Sequence, residues 1–159
     1  MSLLDKEPVK RAEKSLKDFN KLLNLIVLDK PARTAKDAAL SLKCEVGAIV
    51  KSLLFKTEDF FVLCLVAGDK KCSLNKLKKI THKKNISMAS PEEVKKQTGY
   101  TIGGVSPIGH LNLIKILIDN SLKRFKYLYA AGGHPNCVFK IDFINLQKIT
   151  NSESKDLTE

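Results

Sequence analysis

A chain of 159 residues is long enough for one domain with a single hydrophobic core and too short for two comfortable ones. Hydrophobic residues make up 43% and charged residues 28%, which excludes a disordered chain and a miniature fold stapled by disulfides. The formal net charge of +11 favours a polyanionic partner such as nucleic acid, but a lysine-rich surface that merely faces solvent predicts the same charge.

The cysteines lie in or beside apolar segments without C-x-x-C spacing, which favours buried free thiols at Cys44, Cys64, Cys72 and Cys137. Charged residues begin at Asp5, so residues 1–11 contain no apolar stretch of the kind that a signal peptide needs. No apolar run reaches the length of a membrane-spanning helix. We therefore expect a cytoplasmic protein with no membrane partner.

The first third of the chain predicts helix, strand and helix. Apolar residues recur at steps of three and four on one amphipathic helix, namely at Val9, Ala12, Leu16, Phe19 and Leu23. A short strand over residues 25–28 ends before Pro31, because proline has no N–H to donate. Thr34 is placed to cap a second helix, whose small apolar residues indicate close packing.

The middle of the chain predicts a hairpin followed by two helices. A helical turn over residues 45–51 leads into a strand over residues 52–56, and a polar turn joins it to an uninterrupted apolar strand over residues 60–67. Ser73 begins a lysine-rich helix. Ser90 begins another, with proline at the first helical position and glutamate at the third.

The last third predicts mainly strands, over residues 100–102, 113–118, 127–130 and 137–141, before a short helix that Asp142 caps. The polar residues 151–159 are expected to fray, which leaves one domain over residues 1–150. Several links between strands are too short for a helical crossover, so an all-parallel sheet is disfavoured. The predicted fold class is α+β, a single domain with a mixed, curved sheet.

The densest group of glycines lies in residues 98–110, TGYTIGGVSPIGH. Four glycines and a proline exceed what an ordinary turn needs, so we expect a loop that presents main-chain amides to a ligand, with an ordinary turn as the alternative. The loop is not a nucleotide-binding P-loop, because no Gly-Lys-Ser/Thr sequence follows. Nor does it match a dinucleotide-binding fingerprint, because the third glycine is out of register.

Two further residues stand out from their surroundings. His134 follows two glycines in a second predicted turn, over residues 130–135, although a lone histidine in a turn is more often simply exposed. Lys51 lies in an apolar segment, where a lysine either extends its ammonium group to solvent or holds an anion or a carbonyl in a pocket. The histidines lack zinc-site spacing and no Ser-His-Asp or Cys-His motif is present, so the residues alone predict neither a metal nor a side-chain nucleophile.

Three segments become recognisable in combination: GAIVKSLLF at residues 47–55, GGVSPIG at residues 103–109 and AGG at residues 131–133. In order and spacing they resemble the YbaK/EbsC family of aminoacyl-tRNA deacylases, related to the editing domain inserted in bacterial prolyl-tRNA synthetases. The resemblance implies a barrel-like sheet flanked by helices. It also implies hydrolysis of the ester that joins a small wrong amino acid, such as alanine or cysteine, to the terminal ribose of tRNA, in particular tRNA(Pro).

The resemblance further implies roles for single residues. Lys51 would contact the terminal nucleotide and orient the ester, while main-chain amides at Gly103 and Gly104 would stabilise the developing oxyanion. The other residues of the implied substrate site are Thr34, Val105, Ser106, Pro107, Gly132, Gly133 and His134. An activated ester needs less assistance than an amide, so a missing side-chain nucleophile does not exclude an enzyme.

The expected partner is the acceptor end of a misacylated tRNA, and an aminoacyl-tRNA synthetase is a further candidate; no cofactor or metal is expected. The lysine-rich helix that begins at Ser73 either meets tRNA phosphates or simply faces solvent. The competing hypothesis is a non-catalytic RNA-binding or regulatory module on the same fold. The presence of Lys51 with the complete loop of residues 103–107 favours the enzyme, and the missing triad and metal motifs disfavour an unrelated small-molecule hydrolase.

Overall fold

Five α-helices and eight β-strands are present in residues 2–159, the part of the chain that the computed structural model describes. In chain order they are α1 (Glu7–Phe19), β1 (Leu25–Val27), α2 (Ala35–Leu42), β2 (Val50–Lys56), β3 (Phe61–Ala67), α3 (Leu74–Thr81), β4 (Ser87–Met88), α4 (Pro91–Thr98), β5 (Lys115–Asp119), β6 (Leu128–His134), β7 (Cys137–Ile141), α5 (Phe143–Thr150) and β8 (Glu153–Lys155). The α+β class predicted from the sequence is confirmed. None of these helices is long and apolar enough to cross a membrane.

Polar side chains cap the helices where the sequence predicts. Thr34 accepts a hydrogen bond from a first-turn amide of α2 at 3.1 Å, and Ser90 and Glu93 form a reciprocal capping box at α4. The side chains of Ser73 and Asp142 each accept a hydrogen bond from a first-turn amide of α3 and α5, without a reciprocal partner. Each cap satisfies an amide that the helix itself leaves unpaired and contributes about 1 kcal/mol, which explains why these helix starts are legible from local sequence.

The strands fall into two sheets. The larger has the order β4-β2-β3-β5-β8, in which β2 is antiparallel to both of its neighbours while β5 is parallel to both β3 and β8. The smaller, of order β1-β7-β6, is antiparallel. An isolated bridge between Ile49 and Tyr129 joins them where β2 begins. The mixed pairing agrees with the short links in the sequence.

The core lies mainly between the two sheets. Leu63 and Leu65 of β3 pack there with Leu128 of β6 and Phe139 of β7, and all four are fully buried. The opposite face of β3 is covered by α3 and the C-terminal residues. Burial on both faces explains the uninterrupted apolar run in this strand, because no position of it needs to be polar.

Two predicted elements near the glycines are wrong. Residues 100–102 form a loop after α4 rather than a strand. Tyr100 is nevertheless fully buried, and its hydroxyl donates to the Ile108 carbonyl at 2.7 Å. Its polar group is therefore satisfied without any pairing to a neighbouring strand. Gly133 and His134 belong to β6 rather than to a turn, which starts only at Pro135; a register shift within residues 131–134 accommodates the glycines.

The C-terminal residues do not fray, which corrects a third expectation. Strand β8 pairs with β5, and Leu157 is fully buried. The Leu157 amide donates to the buried carboxylate of Asp119 at 2.7 Å. A buried carboxylate needs hydrogen-bond donors, and the tail supplies one from far along the chain, which no local pattern reveals.

Candidate active site

A cavity of about 620 Å³ lies where the start of β2 approaches β6. Its wall combines the beginning of α2, the first half of β2, the loop between α4 and β5, and the middle of β6. Among the predicted site residues, Thr34, Lys51, Gly103 and Val105 line this cavity. The fold therefore brings together three segments that are far apart in the sequence.

Lys51 lies half-buried in the cavity wall. Its Nζ donates to the carbonyl of Lys70 at 2.5 Å. Burial lowers the pKa of Lys51, while Asp69 and Cys72 oppose that shift. Asp69 is itself held by Arg124 through hydrogen bonds of 2.7 and 2.9 Å. One N–H of the ammonium group is thus engaged, and the others have no partner in residues 2–159, so they are available to a ligand.

The main-chain amides of the glycine-rich loop are not equivalent. The Gly104 amide donates to the Thr101 carbonyl at 3.0 Å and is therefore occupied. The amides of Gly103 and Val105 have no hydrogen-bond partner within the described residues, and both residues line the cavity. Unpaired amides beside a cavity are the groups that an oxyanion requires.

Gly104 has a different function in the structure, because the loop approaches β6 most closely there. A Cβ atom at this position would lie 2.8 Å from both the amide nitrogen and the Cα of His134. Gly103 has more room but a φ of +97°, a left-handed conformation that favours glycine. The two glycines thus serve close packing and backbone conformation respectively.

Ser106 and Pro107 lie outside the cavity wall. Ser106 is fully buried, and its carbonyl accepts a hydrogen bond from Nε2 of His110 at 2.7 Å. Pro107 lines a separate depression together with Phe19 and Leu113. Their positions suit support of the loop rather than contact with a ligand in the cavity.

The predicted residues Gly132, Gly133 and His134 lie beside the cavity and not in its wall, to which β6 contributes Ala130 and Ala131. Gly132 and Gly133 are buried behind them. His134 accepts a hydrogen bond at Nδ1 from the amide two residues on, at 3.0 Å, so its neutral ring carries the proton on Nε2. Burial lowers the pKa of His134, and the nearby charges of Lys6 and Arg33 lower it further.

A sequence model of the aminoacyl-tRNA editing domain family matches residues 29–149. The chain belongs to this family. The match covers every segment that lines the cavity, from the loop before α2 to β7. The resemblance to YbaK that the motifs predict is confirmed.

Relatives of this editing domain occur both inside synthetases and alone. The proline–tRNA ligase of Thermosipho melanesiensis is 36% identical over 104 residues, which are 65% of this chain and 18% of the ligase. That of Kosmotoga olearia is 32% identical over 132 residues, 83% of this chain and 21% of the ligase. The chain thus spans about a fifth of the length of these ligases. The YwhH protein of Bacillus subtilis is 34% identical over 124 residues, 77% of this chain and 78% of YwhH.

A solved structure described as a candidate trans-editing enzyme for prolyl tRNA synthetase shares the fold of this editing domain. It superposes with a TM-score of 0.91 at 34% sequence identity, covering 97% of this chain and 98% of that one.

The editing domain also contains cavity residues that the sequence alone did not single out. Ser52 lines the cavity, and its Oγ is the one buried side-chain oxygen or nitrogen in residues 2–159 without a hydrogen-bond partner. Arg33 and Lys36 are exposed at the mouth, and neither forms an ion pair within 4.0 Å in the described chain. The only available signal was their proximity in sequence to Thr34 and Lys51.

The lysines of α3 and the loop after it are less free than the sequence indicates. Lys76 forms an ion pair with Asp156 at 2.9 Å, and Lys83 pairs with Asp59 in the hairpin turn between β2 and β3. That turn lies at the end of β2 remote from Lys51. These two charges are therefore partly neutralised within the chain, and the end of α3 lies away from the cavity.

The cavity of the editing domain has no cysteine in its wall. Burial raises the pKa of Cys44, and a hydrogen bond with Cys72 together with burial raises that of Cys64. A raised pKa disfavours the nucleophilic thiolate. In residues 2–159 no cluster of three or more His, Cys, Asp and Glu side chains is arranged to hold a metal ion.

Proposed function

We propose that this chain is a trans-acting deacylase that hydrolyses the ester between a small, wrongly attached amino acid and tRNA, with tRNA(Pro) as the preferred carrier. The observation that carries the proposal is the convergence of Lys51 with the unpaired amides of Gly103 and Val105 on one cavity. The family match and the similarity to a candidate trans-editing enzyme support it.

The chemistry follows from these groups. The Lys51 ammonium holds the terminal nucleotide or its phosphate and so orients the ester. Water attacks the ester carbonyl carbon, and the amides of Gly103 and Val105 stabilise the negative charge that develops on the carbonyl oxygen. The carbon–oxygen bond to the ribose then breaks. The ribose oxygen takes up a proton equivalent to the one that the attacking water gives up, so the products are the free amino acid and the tRNA hydroxyl. Positioning and preorganised amides supply the acceleration, so no covalent intermediate is required.

The cavity wall is largely apolar. It includes small side chains such as Ala38 and Ala130 beside larger ones such as Ile49 and Tyr129. The hydroxyl of Ser52 adds a polar group at the wall. The family resemblance implies a small wrong amino acid, so alanine, cysteine and serine head the candidate substrates.

The partner surface begins at the mouth of the cavity. The unpaired cations Arg33 and Lys36 lie where the acceptor end would enter, and the net charge of +11 favours a polyanion throughout. A cytoplasmic location follows from such a substrate, and a prolyl-tRNA synthetase is the candidate protein partner.

The decisive experiment is single-turnover deacylation with a panel of tRNA(Pro) carrying alanine, cysteine, serine or proline. We expect rapid loss of at least one small wrong amino acid, slow loss of proline, and no acceleration by Lys51→Ala. Tight tRNA binding without acceleration of any ester would instead identify the non-catalytic RNA-binding module. Absence of both would reject a function on tRNA.

A further inference from the structure

We propose that Arg11 is a positioning residue for this site: from α1 it holds both ends of the glycine-rich loop and thereby sets the places of the Gly103 and Val105 amides. The inference rests on the proposed function for its catalytic consequence. Its structural part can be tested without any substrate.

The guanidinium group of Arg11 bridges the two ends of the loop. Nε donates to the carbonyl of Gly109 at 2.6 Å, and Nη2 donates to the carbonyl of Thr98 at 3.3 Å. The same group lies over the ring of Tyr100, 4.7 Å from its centroid. The Arg11 side chain is only 19% exposed, which is unusual for an arginine on a surface helix.

Two of the glycines in the loop make room for this contact. A Cβ atom on Gly99 would lie 2.3 Å from Nη2 of Arg11, and one on Gly109 would lie 2.7 Å from the hydroxyl oxygen of Tyr100. Both glycines also have positive φ, +83° and +71°. Half of the four glycines that mark the loop in the sequence therefore accommodate Arg11 and Tyr100 rather than a ligand.

Further hydrogen bonds carry this restraint inward. The Tyr100 hydroxyl donates to the Ile108 carbonyl at 2.7 Å, and Nε2 of His110 donates to the Ser106 carbonyl at 2.7 Å. Residues 106–109 are thus held by Arg11 of α1 together with Tyr100 and His110 of the loop itself, while the amides of residues 103 and 105 face no protein acceptor. The placement of those amides depends on what holds the adjoining segment.

A lysine cannot reproduce the arrangement. Donation to two carbonyls combined with stacking on an aromatic ring requires a planar fork of N–H groups, which the compact lysine ammonium lacks. Glu7, one turn earlier on α1, forms an ion pair with Nη1 of Arg11. The loop carbonyls accept from the other two nitrogens of the guanidinium group, Nε and Nη2. Loss of Glu7 should therefore leave the contacts with the loop intact.

The kinetic test compares Arg11→Lys and Arg11→Met with the wild type under single-turnover conditions. A displacement of about 1 Å in a catalytic group can cost about a hundredfold in rate, so we expect losses of about tenfold to a hundredfold. The enzyme concentration that gives half the maximal rate should change little, because Lys51 and the mouth cations are untouched. Ethylguanidinium should partly restore the rate of Arg11→Ala.

Two controls separate positioning from general destabilisation. Leu77→Ala removes a buried side chain on α3, away from the loop, and should lower Tm with little effect on the rate. Glu7→Gln should stay close to the wild type. A folded Arg11→Met protein with the wild-type rate would overturn the proposal. So would a Leu77→Ala protein that loses as much rate as an Arg11 variant with the same loss of Tm.

A second measurement is independent of any activity. The backbone amide resonances of Gly103 and Val105 should shift in Arg11→Lys and remain in place in Glu7→Gln. Unchanged resonances in Arg11→Lys would overturn the positioning role, whatever the substrate. A shift in a protein that hydrolyses none of the tested esters would support the positioning role and count against the proposed function alone.

Discussion

Gly104→Ala should impair catalysis by moving the glycine-rich loop, and the structure gives the size of the movement. The added Cβ would lie 2.8 Å from the His134 backbone, whereas ordinary contacts begin at 3.4 Å, so the loop must retreat by about 0.6 Å (3.4 − 2.8). His134 lies in a strand paired with β7 and cannot easily yield. The φ of Gly104 is not in the left-handed region, so the effect is steric.

A retreat of this size bears directly on the amides of Gly103 and Val105, which flank the substituted residue. Because about 1 Å of misplacement can cost about a hundredfold, we expect the rate to fall by about tenfold to a hundredfold. Crowding of this kind also destabilises by about 1–3 kcal/mol, which should appear as a lower Tm in a protein that still folds.

The assay is single-turnover deacylation of alanyl-tRNA(Pro) with the protein in excess, with circular dichroism to confirm folding. Ser106→Ala is the matched comparison, because its hydroxyl is buried outside the cavity wall and should matter little. A wild-type rate in folded Gly104→Ala would refute the reasoning. An inactive Ser106→Ala beside a normal Gly104→Ala would point to covalent catalysis instead.

Three further predictions follow from the site. Lys51→Ala should abolish deacylation with little change in Tm, and Lys51→Arg should also be impaired; full activity in either variant would contradict the assigned contact. Affinity for tRNA should fall steeply as salt rises, and Arg33→Ala with Lys36→Ala should flatten that dependence while the exposed Lys79→Ala does not; a salt-independent affinity would indicate a small-molecule ligand. Burial lowers the pKa of His110 below its ordinary 6.5. As pH falls towards that lowered pKa, the unfolded chain therefore binds more protons than the folded chain, and the free energy of unfolding decreases. Between about pH 7.5 and about pH 5 the Tm of the wild type should therefore fall more than that of His110→Gln, and equal losses would refute this assignment.

The sequence by itself determined the features that depend on neighbours along the chain. The caps at Thr34 and Ser90 are local hydrogen bonds, and the run of apolar residues that became β3 is a local consequence of burial on both faces. The spacing of Lys51, the glycine-rich loop and the later Gly-Gly pair was enough to indicate the family. Each of these signals lies within one segment or in the order of segments.

Only the tertiary structure decided which of the marked residues face the cavity. Pro107 lies on another surface, and Gly104 has its amide occupied, although both belong to the motif. Arg11, unremarkable in the sequence, spans the loop, and the polar tail joins the larger sheet through Asp119. These outcomes depend on contacts between distant segments, because whether a polar group is buried, paired or free is set by what packs against it and not by its own neighbours in the chain.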